Sequence, residues 1–379
     1  MSVGNKKIIR AVTVSMSVDF FSPIVMDLQQ QGYEVISVSS PGPELKGLRE
    51  LGVRTIEVPM ERRMSPLKDV KSLWQLIRVF RKERPYMVHS MTPKAGLLCM
   101  LAGWLTRVPR RVHTFTGLVW PTSKGLSRKI LMFTDWLTCA CATHVIPEGE
   151  GVKQDLQQYI TKKPMRVLGY GNVRGVDMER FSKRAEVMEV AERIRRKDLF
   201  TFLFVGRIVG DKGMHELAQA FQRLWAERQD MRLLLVGRLE QELDPLKLET
   251  MQVIAEHDAI EHVGPKYGDD LLACYAASDC FVFPSYREGF PNTVMEAGAM
   301  DLPCIVTDIN GSREIIEDGK NGKIIPSKDV DALYSAMKEM VENRGMRTCY
   351  ASCARKMIAE RFEQGFVRKC LYEFYEEIV

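Results

Sequence analysis

Short apolar runs alternate with amphipathic stretches along the first half of the chain. The apolar runs are bounded by turn residues, whereas the stretches between them carry apolar residues at helical spacing. Continuous apolar runs of this kind are typical of parallel strands that are covered on both faces. The pattern therefore predicts a doubly wound α/β domain. Its predicted strands lie at 8–15, 33–40, 53–58, 86–90, 110–116, 143–147 and 166–171, and its predicted helices begin near residues 21 and 45 and span 66–84, 95–105 and 126–140.

The same alternation begins again in the second half. Residues 169–181 are rich in glycine and follow neither period, and a highly charged, helix-like stretch follows at 184–197. We place a domain boundary here, which gives an N-terminal Rossmann-like domain at 1–180 and a C-terminal one at 181–361. A terminal helix at about 362–379 would fold back onto the first domain. The second set of predicted strands lies at 199–206, 231–237, 260–263, 279–285, 302–307 and 322–326, with helices after residue 212, around 251, from 291, and at 330–341 and 346–361.

Length and composition agree with two such domains. The chain has 379 residues, of which 45% are apolar, and this is more than one hydrophobic core usually serves. Its nine cysteines lack the spacing of a zinc site and are interpreted as structural thiols in a reducing cytosol. The polar N-terminus shows no targeting peptide, and the longest apolar run, 95–105, is too short to span a bilayer. A cytoplasmic protein is therefore predicted.

The net charge of +5 conceals an asymmetry between the two halves. Residues 1–190 carry 29 basic and 17 acidic residues, a net charge of +12, whereas residues 191–379 carry 25 and 32, a net charge of −7. The cations of the first half cluster at 78–84, 107–111 and 124–129. The tryptophans interleaved with these clusters are Trp74, Trp104, Trp120 and Trp136.

An anionic membrane surface or an anionic acceptor suits this combination of cations and aromatic rings. Solvated helix faces with snorkelling arginines are the alternative. Nucleic acid would suit the charge as well, but no recognised nucleic-acid module is present, so no nucleic-acid partner is expected.

The first loop with candidate chemistry follows the predicted strand at 199–206. Residues 206–213 combine three glycines with Arg207 and Lys212, at the place where a doubly wound sheet binds ligands. The glycines let the backbone approach phosphate oxygens, the planar guanidinium can hold two of them, and the lysine supplies a point charge. The loop predicts a diphosphate site, with a charged strand-to-helix turn as the alternative. The glycine spacing differs from the dinucleotide fingerprint, which disfavours a nicotinamide cofactor.

A second candidate site lies at 281–300, where an apolar strand ends in a loop and a helix begins through Pro291. Proline suits the first turn of a helix. The N–H groups of the next three residues would then point outward with the positive end of the helix dipole, where an anionic phosphate binds. These three residues are Asn292, Thr293 and Val294.

Two carboxylates bracket this anion site. Glu288 lies on the loop and Glu296 lies within the helix, with seven residues between them. Each can accept hydrogen bonds from sugar hydroxyls. The alternative is a turn residue at Glu288 and a solvated helix residue at Glu296, but the neighbouring Gly298 and Ala299 indicate a closely packed helix and weaken that interpretation.

An Asp-x-Asp pattern at Asp329 and Asp331 is of the sort that holds a divalent ion beneath a sugar nucleotide. It opens an apparent helix, so N-terminal capping and pairing with the helix dipole explain both aspartates. We expect no metal and no cofactor other than the donor substrate.

In these features the chain resembles the retaining glycosyltransferases of family 4, which have a GT-B fold. It is also similar to bacterial enzymes that extend lipid-linked capsule or surface-glycan repeat units. The chain departs from the family at residues 15–19, where the first strand-to-helix loop lacks the glycine pair common in relatives. The resemblance covers essentially the whole chain and rests on Glu288, Glu296, the Val-Gly-Arg at 205–207, Lys212-Gly213, the strand at 113–117 and the linker at 175–177 with Phe181.

The resemblance implies two Rossmann-like domains whose parallel sheets face each other across a cleft. It implies that Glu296 binds the nucleotide ribose and that Glu288 holds hydroxyls of the donor sugar. Arg207 and Lys212 would stabilise the departing diphosphate. The implied donor-binding set is Gly206, Gly289, Phe290, Asn292, Thr293, Val294 and Glu296, and the implied catalytic set is Glu288, Lys212, Arg207 and His113.

His113 would face the cleft and bind the donor sugar or orient the acceptor. His89, at the end of the preceding predicted strand, is its competitor. A hydrogen-bonded core histidine is the alternative for either residue.

The leading hypothesis is the transfer of a hexose or N-acetylhexosamine from a UDP-sugar to a lipid-linked saccharide acceptor, with retention, in capsule or surface-glycan synthesis. The enzyme would act at the inner face of the cytoplasmic membrane as a peripheral protein. A GDP-linked donor, a UDP-sugar 2-epimerase of the same architecture, and a non-catalytic nucleotide-sugar-binding subunit are the alternatives.

Overall fold

Six of the seven strands predicted in the first half are present, and they pair in parallel. The structure, a computed structural model, describes residues 6–242 and 244–378. The sheet order is β3-β2-β1-β4-β5-β6. Its strands are β1 (Lys7–Ala11), β2 (Glu34–Ser39), β3 (Arg54–Glu57), β4 (Met87–Met91), β5 (Arg110–Phe115) and β6 (His144–Pro147).

Helices cover both faces of this sheet, which is why its central strands are apolar on both sides. The helices are α1 (Ser22–Gln30), α2 (Leu45–Glu50), α3 (Pro66–Glu83), α4 (Pro93–Leu105), α5 (Gly125–Cys141) and α6 (Glu150–Tyr159). One hydrophobic core lies between the sheet and α3 to α6, and the other lies against α1 and α2.

The strand predicted at 166–171 is absent, and that prediction is wrong. Gly169 and Gly171 adopt left-handed backbone with φ of 56° and 95°, which turns the chain instead of extending it. A Cβ atom at Gly169 would lie 3.0 Å from the ring of Phe366, so the turn also depends on a close approach.

The second unit repeats the topology of the first with the sheet order β12-β11-β10-β7-β8-β9. Its strands are β7 (Phe200–Val205), β8 (Met231–Val236), β9 (Ile260–His262), β10 (Cys280–Phe283), β11 (Cys304–Thr307) and β12 (Gly322–Ile325). Its helices are α7 (Ala185–Ile194), α8 (Met214–Glu227), α9 (Leu248–Glu256), α10 (Gly268–Ala276), α11 (Asn292–Ala299), α12 (Ser312–Ile315), α13 (Val330–Glu342) and α14 (Arg344–Phe362). Helices α6, α10 and α12 are not among the predicted ones.

The chain passes between the two units at Arg174 and Gly175 and returns at Gln364 and Gly365. The predicted boundary after residue 180 lies slightly later in the chain than this observed crossing. Val176 already belongs to the second core, and its N–H donates to the Phe362 carbonyl at 2.8 Å.

The last helix, α15 (Gln364–Ile378), belongs to the first unit. Its apolar side chains Leu371, Phe374 and Tyr375 join the core that contains α1 and α2. The first unit therefore consists of two separate stretches of the chain.

Candidate functional site

The candidate site lies where the strand order of the second sheet reverses, between β7 and β10. In open α/β sheets, ligands bind in the crevice outside the carboxyl ends of the strands at this point. The loops that leave β7 and β10, residues 206–213 and 284–291, are those predicted to carry the chemistry. They are joined directly, because the Tyr286 N–H donates to the Asp211 carbonyl at 2.8 Å and the Arg287 guanidinium donates to the Asp211 carboxylate at 3.0 Å.

Lys212 and Glu288 form an ion pair between the two loops. Both side chains are largely buried, with 13% and 16% of their surface exposed. The Ser285 hydroxyl donates to the same carboxylate at 2.8 Å, and the Lys212 ammonium lies 5.5 Å from the centre of the Phe283 ring. The two residues predicted to contact the diphosphate and the donor sugar are therefore in direct contact.

Gly213 makes the close approach of the two loops possible. Its φ of 71° is left-handed, and a Cβ atom there would lie 2.0 Å from the Pro284 carbonyl oxygen. The short turn at 210–212 precedes it and places Lys212 beside the loop that follows β10.

Arg207 lies at the start of the first loop and pairs with Glu240 at 2.9 Å. Burial alone would lower the pKa of its guanidinium, but the hydrogen bond to Glu240 and the charges of Asp211 and Glu288 outweigh it and raise the pKa. Its side chain is 40% exposed, so a charged and accessible guanidinium stands beside the Lys212 loop. Glu240 was not among the predicted site residues.

The N-terminus of α11 differs in detail from the prediction. Pro291 is the N-cap and not part of the first turn, and the Val294 N–H donates to the Pro291 carbonyl at 3.1 Å. The prediction that the Val294 N–H points outward is therefore wrong. Asn292 and Thr293 are the first two residues of the helix, and their N–H groups as anion donors stay a prediction.

Gly289 and Phe290 lead into this helix. A Cβ atom at Gly311, whose φ is 76°, would lie 2.4 Å from the Gly289 carbonyl oxygen. Phe290 is 6% exposed and packs edge-on against Phe362 in the core, with ring centres 5.3 Å apart. The Phe290 side chain thus positions the loop and is not itself open to a ligand.

Glu296 lies within α11 and is 8% exposed. The Tyr275 hydroxyl of α10 donates to its carboxylate at 3.1 Å. Burial, and then the charge of Glu296, raise the pKa of Tyr275 well above its usual value, so the hydroxyl keeps its proton. The alternative of a solvated helix residue is wrong. Tyr275 was not predicted, since it reaches the site from a helix that the sequence pattern did not indicate.

His113 and His89 both lie in the interior of the first unit, each 1% exposed. His113 contacts the Ser90 hydroxyl at 2.9 Å, and a Cβ atom at Gly96 would fall 2.3 Å from its ring. Burial lowers the pKa of His113 to about 3, so the ring is neutral. The structure therefore assigns His113 to the core, which was the alternative to the expected donor-sugar or acceptor contact.

Asp329 caps α13, because its carboxylate accepts a hydrogen bond from the Ala332 N–H at 2.8 Å. Asp331 lies in the first turn of that helix and pairs with Arg223. Capping by Asp329 is as predicted, and the position of Asp331 in the first turn, paired with Arg223, explains the rest of the Asp-x-Asp pattern.

Two six-stranded parallel sheets, with cations and carboxylates converging on the loops at one reversal point, define a doubly wound α/β protein with a candidate anion site. Comparison with protein-family models identifies the family to which the chain belongs. The model of glycosyl transferases group 1 matches residues 189–357, and that of the glycosyl transferase 4-like domain matches residues 21–171. The chain therefore belongs to the glycosyltransferases that combine these two domains, and the predicted family is confirmed.

Known relatives agree with this assignment. The chain is 31% identical over 373 residues to the capsular polysaccharide biosynthesis glycosyltransferase CapM of Staphylococcus aureus, covering 98% of this chain and 97% of the relative. It is 27% identical over 339 residues to the UDP-Gal:alpha-D-GlcNAc-diphosphoundecaprenol alpha-1,3-galactosyltransferase of Escherichia coli, covering 87% and 86%. The crystal structure of Anabaena Alr3699/HepE in complex with UDP has a TM-score of 0.81 at 16% identity, covering 98% of this chain and 100% of that chain. The predicted GT-B fold class is confirmed.

Proposed function

We propose that this glycosyltransferase moves a hexose or N-acetylhexosamine from a UDP-sugar to a lipid-linked saccharide in capsule or surface-glycan synthesis, with retention of anomeric configuration. The observation that carries the proposal is the Lys212–Glu288 pair, held between two loops at the reversal point of the second sheet. Support for the donor and acceptor classes comes from the Escherichia coli relative, whose name specifies UDP-Gal and a diphosphoundecaprenol-linked sugar.

In the proposed reaction, the bond between the anomeric carbon and the diphosphate breaks while the oxygen of an acceptor hydroxyl bonds to the same face of that carbon. The hydroxyl proton passes to the departing UDP, on which negative charge grows as the bond breaks. Lys212, Arg207 and the N-terminus of α11 supply fixed positive charge where this develops. Because Glu288 already holds Lys212 and Glu240 already holds Arg207, these two cations need little reorganisation during the reaction. The proposed chemistry uses no metal, since protein groups provide the charge stabilisation.

Glu288 and Glu296 take the hydroxyl groups of the donor in this proposal. Glu288 orients hydroxyls of the sugar while it holds Lys212, and Glu296 binds the ribose. The Tyr275 hydroxyl fixes one oxygen of Glu296, which orients the carboxylate before the donor arrives. His113 has no direct part.

The acceptor places the reaction at a membrane. No helix within the described residues is long and apolar enough to cross one. We therefore propose a peripheral enzyme at the inner face of the cytoplasmic membrane.

Calorimetric titration with UDP and with GDP, in EDTA and without acceptor, tests the donor site. We expect the wild type to bind UDP more tightly than GDP and the Glu296→Ala variant to lose at least about tenfold in UDP affinity, because charged hydrogen bonds to the ribose are removed. The exposed Glu342→Ala is the matched control. Binding of neither nucleotide, or equal binding by wild type and variant, would contradict the assignment.

Incubation of a UDP-sugar without acceptor separates transfer from epimerisation. A transferase leaves the sugar configuration unchanged and releases UDP only when a lipid-linked saccharide is added. Formation of an epimeric UDP-sugar in the absence of acceptor would favour the 2-epimerase alternative.

A further inference from the structure

Large apolar side chains are exposed on one side of the first unit. Within the described residues, more than half of the exposed large apolar side chains fall between residues 64 and 136. On α3 and α5 they include Leu67, Val70, Trp74, Leu126, Phe133 and Trp136, exposed by 46% to 89%. Helix α4 contacts both α3 and α5, so the three helices form one continuous layer over the sheet. We call the outward side of this layer the α3–α5 face.

Helical spacing gathers these side chains into stripes. On α3, the exposed positions Leu67, Val70 and Trp74 continue into Arg78 and Arg81 along one side, while the core residues lie on the opposite side. On α5, Leu126, Lys129, Phe133 and Trp136 share one side in the same way, and the rings of Phe133 and Trp136 stack 5.6 Å apart. Each stripe mixes apolar and cationic groups.

Apart from Lys68, which pairs with Glu61, the exposed cations on the α3–α5 face have no acidic partner within the described part of the chain. They include Lys71, Arg78, Arg81, Lys82, Lys124 and Lys129, which are all exposed. A groove of about 870 Å³ between the C-terminal ends of α3 and α4 is lined by Arg81, Arg84 and Arg107 as well. Cations complement a helix C-terminus in any protein, but that does not explain the exposed aromatic rings beside them.

The acidic residues between 62 and 136 do not balance this charge. Asp69 pairs with Lys94, and Glu83 is buried and paired with Lys7 and Arg54. Asp135 lies on the inward side of α5, and burial raises the pKa of its carboxyl to about 7. The α3–α5 face therefore presents positive charge almost without compensation.

We infer that the α3–α5 face docks onto an anionic lipid bilayer, with the tryptophan and leucine side chains in the interface and the cations against lipid phosphates. Charge complementarity and the exposed aromatic rings together favour this occupant, since an anionic bilayer offers phosphates to the cations and an apolar layer to the rings. A second copy docking through the same face would lack the carboxylates that these cations need. Tryptophan is enriched at membrane–water interfaces, where its ring contacts apolar groups and its indole N–H contacts water. The inference rests on the proposed function, because a lipid-linked acceptor gives the docking a purpose.

Two predicted contributors do not belong to this face. Trp120 is 2% exposed and lies in the core. Arg111 donates to the Cys141 and Val108 carbonyls, so its guanidinium supports the fold. The basic clusters of the sequence thus divide into a few structural cations such as Arg111 and a larger set that faces outward.

Co-sedimentation of the full chain with vesicles, in the absence of donor and acceptor, tests the inference. The wild type should bind phosphatidylglycerol vesicles, bind phosphatidylcholine vesicles weakly, and bind less at high salt. The triple variant Arg78→Gln/Arg81→Gln/Lys82→Gln should bind roughly a hundredfold more weakly, since each cation near the surface contributes about fivefold. The double variant Trp74→Ser/Trp136→Ser should also bind phosphatidylglycerol vesicles more weakly. Its loss of affinity should persist at high salt, because the contribution of the aromatic rings is not electrostatic.

Lys356→Gln/Leu248→Ser is the matched control, because both residues are exposed and lie in the second unit. It should bind as the wild type does, and circular dichroism should show all variants folded. No binding of the wild type to phosphatidylglycerol vesicles, or equal binding by the α3–α5 variants, would overturn the inference. A dimer in light scattering that the tryptophan variant dissociates would assign the face to a second copy instead.

The outcome is separable from that of the proposed function. The α3–α5 variants should keep wild-type UDP affinity and wild-type turnover with a short-chain, water-soluble acceptor, and should lose turnover with the acceptor embedded in vesicles. If the wild type does not bind UDP, the proposed function is contradicted. The vesicle experiment would then still test whether the α3–α5 face binds an anionic bilayer.

Discussion

Lys212 and Glu288 show how a residue's surroundings decide its role. An exposed lysine and glutamate in two loops would form a weak surface pair. Here both are largely buried, and Ser285 and the neighbouring Phe283 ring fix their positions. The pair therefore fixes the position of the Lys212 ammonium at the reversal point of the sheet, where it is proposed to stabilise a leaving diphosphate.

Separate kinetic effects are expected for the two halves of the proposed site. Lys212→Ala should lower kcat by roughly a hundredfold or more, because it removes leaving-group stabilisation made chiefly in the transition state. Glu296→Ala should chiefly raise the KM for the donor, since ribose contacts exist in both ground and transition states. Initial rates at varied donor concentration measure both.

The exposed Lys356→Ala serves as the control for these variants and should leave both constants unchanged. Circular dichroism should show Lys212→Ala folded. Unchanged kinetics in both site variants would remove the basis for the site assignment.

At the scale of elements, α15 is attached to the first unit by a buried polar cluster as well as by apolar contacts. The Arg10 guanidinium of β1 is 1% exposed and donates to the Tyr375 hydroxyl of α15. That hydroxyl lies 2.6 Å from His89 Nδ1, and His89 Nε2 contacts the Thr114 hydroxyl at 2.7 Å. Burial and the charge of Arg10 lower the pKa of His89 well below its usual value, so Arg10 is the one cation of this cluster.

Tyr375→Phe should destabilise the first unit by about 1–3 kcal/mol, because it leaves a buried cation short of an acceptor. Urea unfolding followed by tryptophan fluorescence measures this, since four of the five tryptophans lie in the first unit. Tyr170→Phe, at a tyrosine of the same unit that is 56% exposed, should change the midpoint little. Equal midpoints for both variants would show that Arg10 does not need the Tyr375 hydroxyl.

Asp135 of α5 should make stability depend on pH. Burial raises the pKa of its carboxyl from 3.8 to about 7, so the folded state binds the proton more tightly than the unfolded state does. Stability from this group is fully present below about pH 4 and is lost as the pH rises to about 7. Asp135→Asn should therefore leave the free energy of unfolding nearly unchanged at the acidic end of this range and raise it above pH 7. Urea midpoints across the range measure this difference. A wild-type-to-variant difference that stays constant with pH would contradict the assignment.

At the scale of the whole molecule, charge is divided between the two halves of the chain. The basic half carries the α3–α5 face, and the acidic half carries the candidate donor site. Within the acidic half, the positive charge of Arg207 and Lys212 is confined to the two loops at the reversal point. Net charge alone would favour the basic half for an anionic ligand, whereas the proposed donor site depends on this local arrangement of cations in the acidic half.

The sequence by itself determined the elements with strong periodicity and the residues of the two loops. Short apolar runs bounded by turn residues, such as β7 and β10, favour a covered parallel strand, and the candidate residues Glu288, Glu296, Arg207 and Lys212 were found from their positions after such strands. The strand predicted at 166–171 is wrong because Gly169 and Gly171 are left-handed, and the position of Gly169 also depends on a close approach to Phe366, which lies far along the chain.

Only the tertiary structure decided which of these residues meet and which are enclosed. It brought Tyr275 to Glu296, Glu240 to Arg207 and Lys212 to Glu288, and it placed His113 in the core. Local spacing carries the period of a strand or helix, but contact and burial depend on residues that are distant in sequence, so the periodic pattern cannot specify them.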